Sequence, residues 1–64
     1  MEKLRIYIVE DESIVAKDIQ NSLVKLGYEV VGISNNGKEA IEKIIETMPD
    51  LILMDIMIKG DLTG

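Results

Sequence analysis

Apolar positions along this chain fall into two alternating rhythms. Residues Leu4 to Val9 are apolar on both alternating faces apart from Arg5. That suits a parallel strand covered on two sides. The run stops at Glu10-Asp11-Glu12-Ser13, and a helical period follows through Val15, Ile19, Leu23 and Leu26. Polar Lys17, Asp18, Asn21 and Lys25 fall mainly between them. Ser13 or a neighbouring acid is placed to cap this helix, and Gly27 to stop it at C′. Tyr28 to Ser34 form a second strand candidate, less uniformly apolar and interrupted by Gly32, which suits a peripheral position. Asn35-Asn36-Gly37 is a turn signal, and Asn36 with Glu39 three residues on resembles a capping box. The next helical pattern shows Ala40, Ile41, Ile44, Ile45 and Met48, and Pro49-Asp50 ends it. Leu51 to Met54, closing on Asp55, is another strand with both faces apolar. Ile56 to Gly64 contains Gly60 and Gly64 and reads as a loop.

The sum is β-α-β-α-β, which predicts the α/β class with a parallel sheet and crossover helices. If the first strand is central, the two right-handed crossovers leave it in opposite directions. Their helices then cover opposite faces, and the strand order is 2-1-3. No internal repeat, low-complexity tract or domain linker interrupts this plan.

Composition narrows the function more than the fold. Sixty-four residues make at most one domain, near the lower size limit for independent folding. With 47% apolar residues the chain can attempt a core, but without Phe or Trp it must build it from aliphatic residues, Tyr7 and Tyr28. The net charge is -5 and no basic stripe exists. This segment therefore has no footprint for nucleic acid and no basic amphipathic face for an anionic membrane. No run approaches the roughly 20 apolar residues of a membrane span, and Met1 to Arg5 open no signal-peptide pattern. Cys and His are both absent. Any metal must then be held by oxygen. Lack of cysteine is compatible with the cytosol.

Candidate chemistry comes from joining two distant pieces of sequence. Glu10-Asp11 follows strand one, and Asp55 ends strand three. In a 2-1-3 parallel sheet these strands are neighbours and point the same way. Their carboxyl ends meet beside the switch in strand order, where open α/β sheets bind ligands. Carboxylates packed there repel one another, and a hard divalent cation such as Mg²⁺ relieves the repulsion. A carboxylate fixed beside such an ion can act as a nucleophile toward a phosphoryl group. The plainer reading is that Glu10, Asp11 and Glu12 are a solvated helix entrance. Asp55 weighs against it, because it follows four apolar residues and precedes Ile56-Met57. A charge among apolar neighbours is costly without a partner.

These segments resemble the receiver domains of two-component response regulators. The matching pieces are Ile6-Tyr7-Ile8-Val9-Glu10-Asp11-Glu12 and Pro49-Asp50-Leu51-Ile52-Leu53-Met54-Asp55-Ile56. Each is weak alone; together, at this separation, they are fairly specific. The resemblance implies a flavodoxin-like parallel sheet cut short. Residues 1–64 would be a partial receiver domain, lacking the segments for strands four and five and helices three to five. It implies that Asp55 is the phosphoacceptor, with a histidine kinase or phosphotransfer protein as partner and Mg²⁺ as cofactor. The metal would be bound by Glu10 (through water), Asp11, Asp55 and the backbone carbonyl of Met57. Glu10 stands where the family more often has aspartate. The resemblance also implies a cytoplasmic phosphorelay component that is not itself an enzyme. The family's phosphoryl-sensing Ser or Thr and its phosphate-contacting Lys have no counterparts here, since Lys59 and Thr63 lie in the wrong segment.

A chain of this extent would leave strand three as a bare apolar edge and expose one side of each helix layer. Such edges invite pairing with another chain. The isolated polypeptide is therefore expected to be unfolded or self-associated, with a homodimer through Leu51 to Met54 as a natural form. The competing reading is thus a non-catalytic folding or interaction fragment. A phosphate-handling enzyme with an aspartyl nucleophile would prefer a second Asp two residues on, where Met57 stands. A nucleotide-binding half-domain would need a Gly-rich cradle after strand one, where this chain has acids.

Overall fold

A computed structural model of the chain describes residues 3–55, except for the side chain of Asp55. The elements run β1 (Arg5–Glu10), α1 (Ser13–Lys25), β2 (Glu29–Ser34), α2 (Gly37–Thr47) and β3 (Leu51–Asp55). One parallel sheet has the order β2-β1-β3, as the crossovers predict. It is the truncated flavodoxin-like arrangement.

β1 is the centre of the molecule. Ile6 and Ile8 point to one face and pack with Ala16 of α1, joined by Ile19, Leu23, Tyr28, Val30 and Leu53. Tyr7 and Val9 point to the other face and pack with Ala40 of α2, joined by Val31 and Ile44. A strand apolar on both faces thus serves two small cores, which is why its sequence does not alternate. Both helices approach the sheet through a buried alanine. That small side chain lets each helix backbone come close to the strands.

Three boundaries differ from the sequence expectation. β1 begins at Arg5 and extends through Glu10, so this acid belongs to the strand rather than to the loop after it. α1 has Glu12 at its N-cap with no side-chain cap; Ser13 is already helical and does not cap. β2 starts at Glu29, because Tyr28 completes the end of α1. α2 ends before Pro49, at Met48 in the left-handed region with φ 49°. The segment Ile56 to Gly64, read as a loop, lies outside the described residues. No helix among the described residues is long and apolar enough to cross a membrane.

Candidate functional site

β1 and β3 pair without interruption from Ile6 opposite Leu51 to Glu10 opposite Asp55. Two of the three sequence-predicted acids therefore end adjacent parallel strands as direct register partners. Glu10 is only 5% exposed. Its Oε2 accepts the backbone N–H of Glu12 at 3.2 Å, which turns the chain from β1 into α1. Asp11 follows on the exposed side of that turn. Met57, expected to offer a carbonyl, lies outside the described residues.

The same turn explains the missing cap of α1. The Glu12 amide is taken by Glu10, and its carbonyl accepts the N–H of Ala16 at 2.9 Å. Beside Glu10, between α1 and the end of β2, a cleft of about 420 Å³ is lined by Ser13, Lys17, Gln20, Ser34 and Asn35 among others. This cleft reaches the β2 side of Glu10, at Ile33, Ser34 and Asn35.

The donor set suits a hard cation. A buried carboxylate and an aspartate opposite it supply oxygen alone, as Mg²⁺ prefers. Among the described residues, however, no group of three acids stands together in a way that would hold a metal. Asp11 faces solvent, and the Asp55 side chain lies outside the described residues, so the gathering of all three acids stays an expectation.

Two residues to which the motifs assign no role, Arg5 and Asp50, bond across the opposite end of the strand pair. The Arg5 N–H donates to Asp50 Oδ2 at 2.9 Å, and the Asp50 N–H donates to the Arg5 carbonyl at 2.8 Å. The Arg5 guanidinium also donates to the carbonyls of Thr47, at 2.7 Å, and Met48, at 3.0 Å. The sequence reading takes Asp50 as ending a helix and as part of the matching segment Pro49 to Ile56, and gives it no bonding role. The available signal is a shared spacing: Arg5 precedes Glu10 by as many residues as Asp50 precedes Asp55.

The family model described as the response regulator receiver domain matches residues 6–64. The chain belongs to this family, whose members serve in phosphorelay signalling. It is 48% identical over 52 residues to the chemotaxis protein CheY of Bacillus subtilis, covering 81% of this chain and 43% of that protein. Against the chemotaxis protein CheY of Thermotoga maritima it is 42% identical, with the same two coverages. It is 40% identical to the transcriptional regulatory protein PdtaR of Mycobacterium tuberculosis, over 81% of this chain and 25% of that protein. The chain thus spans less than half the length of these curated relatives. No solved structure matches it.

Proposed function

We propose that these 64 residues, taken by themselves, act as a protein-interaction fragment of the receiver family that self-associates through β3. The observation that carries this reading is the edge itself. Among the described residues β3 has a neighbour on one side only. Its Leu51, Ile52 and Met54 are 47%, 42% and 61% exposed. Leu51 to Met54 carry no charge in a chain of net charge -5, so two copies can meet there without like charges facing. An antiparallel β3–β3 contact about a two-fold axis would make one six-stranded sheet and hide both edges. Light scattering at micromolar concentration is expected to give a dimer or larger. Met54→Lys is expected to shift it toward monomer, and Asp55→Asn to leave it unchanged. A folded monomer at that concentration would refute the reading.

A second reading is favoured by the register of Glu10 against Asp55. In a protein that supplies the rest of a receiver, Asp55 is the phosphoacceptor. One of its carboxylate oxygens attacks phosphorus, and the bond from phosphorus to the donor's imidazole nitrogen breaks as the imidazole leaves. Glu10 and Asp11 would help hold Mg²⁺, which neutralises charge on the transferring group when bound. Such a protein is expected to be labelled by acetyl phosphate at Asp55, with the acetate leaving. Labelling that survives Asp55→Asn would remove this assignment.

A further inference from the structure

We infer that Arg5 and Asp50 are positioning residues: their clamp at the start of the β1–β3 pair sets the register that puts Asp55 opposite Glu10. This rests on the phosphoacceptor reading of Asp55. The clamp has two parts. Main-chain Arg5 and Asp50 exchange an N–H to carboxylate bond and an N–H to carbonyl bond. The guanidinium fork then ties the last carbonyls of α2 to the same point, where the helix dipole favours a cation. The end of α2, Pro49, Asp50 and the first residue of β1 are thereby held together.

From that point the two strands count forward in step. Ile6 meets Leu51, Tyr7 meets Ile52, Ile8 meets Leu53, Val9 meets Met54, and Glu10 meets Asp55. Five residues span about 16 Å at the usual strand rise, so the clamp acts on the acids from the opposite edge of the sheet. The contrast with β2 is informative. There the pairing shifts between Ile6 and Tyr7, from Val30 to Gly32, with Val31 passed over. No such shift occurs against β3. A slip of one residue would turn Leu53 out of the α1-side core and move Asp55 off Glu10. Little else holds β3, because neither helix packs its backbone against it.

The test compares Asp50→Ala with Asp50→Asn in the isotope-labelled chain, by cross-strand nuclear Overhauser contacts. Asn keeps a side-chain oxygen for the Arg5 N–H, and Ala does not. Asp50→Ala is expected to lose the Glu10–Asp55 contact while keeping Ile8–Ile33 between β1 and β2. Asp50→Asn is expected to keep both. Titration with Mg²⁺ alone, followed on the Glu10 and Asp11 amides, should weaken by roughly tenfold in Asp50→Ala and change little in Asp50→Asn. A merely structural role would lower the unfolding midpoint yet leave the Glu10–Asp55 contact intact in folded chains, and that result overturns the inference. If Asp50→Ala does not fold, Arg5→Met, which removes only the guanidinium fork, is read in the same way. If the unsubstituted chain shows the register contacts but no response to Mg²⁺, the metal part of the phosphoacceptor reading fails, and the clamp is judged on the contacts alone.

Discussion

At the residue scale, Tyr7 accounts for a neighbour that hydropathy leaves unexplained. Its ring is buried on the α2 side of β1, and its hydroxyl shares a hydrogen bond with the buried Ser34 hydroxyl at the end of β2. A Cβ on Gly32 would overlap Cε2 of that ring and meet Cδ2 at 3.0 Å and Cζ at 3.2 Å. The ring shares its core with Val9, Ala40, Val31 and Ile44, so ring or strand must shift to admit a Cβ. Gly32→Ala is therefore expected to destabilise the fold by about 1–3 kcal/mol. Urea unfolding at fixed chain concentration checks this, and a neutral or stabilising effect would show that the ring has room to move. The sequence marks Gly32 only as a break in an apolar run. Its cause is a ring on another strand, and which residue faces which depends on a register shift that hydropathy does not carry. The burial of Glu10 was hidden for a related reason: an acid after an apolar strand reads as the start of a loop until the partner strand is in place.

At the scale of elements, local hydrogen bonding made most ends legible. Asn36 Oδ1 accepts the Glu39 N–H at 2.8 Å, the cap that the Asn-to-Glu spacing predicts. Gly27, at φ +97°, stands at C′ of α1. The Tyr28 N–H reaches the Leu23 carbonyl, and the Gly27 N–H reaches that of Val24, completing a Schellman ending. Tyr28 and Leu23 also share the α1-side core. Asn36→Ala is expected to cost about 1 kcal/mol through the loss of one cap bond. Thermal melts followed by circular dichroism should show a lower midpoint, and an unchanged midpoint would mean that water replaces the cap without loss. The missing side-chain cap of α1 escaped the sequence because the entrance depends on Glu10 reaching past Asp11 to Glu12. Of the apolar positions in the helical pattern of α2, Ala40 and Ile44 pack with the sheet, while Ile41, Ile45 and Met48 stay exposed. Three strands are too few to cover so broad a stripe.

For the whole molecule, strand order was legible because handedness leaves few topologies for β-α-β-α-β. Both helices lie over β1 and β2, so β3 joins the rest through β1 and through Leu53. This leaves Leu51, Ile52 and Met54 exposed on a strand with one neighbour, which gives the self-association prediction its physical basis. A contact between copies that stabilises the fold must raise the unfolding midpoint as chain concentration rises. A midpoint independent of concentration would separate folding from association and weaken the case for β3 as the docking edge.

The placing of Ile6 and Ile8 on one side of β1, and of Tyr7 and Val9 on the other, makes that strand a party wall between two rooms. Neither room has a second wall of its own to stand on. Damage begun under α1 must therefore reach α2 through the same six residues, and the described part of the molecule has no half that can survive the loss of the other.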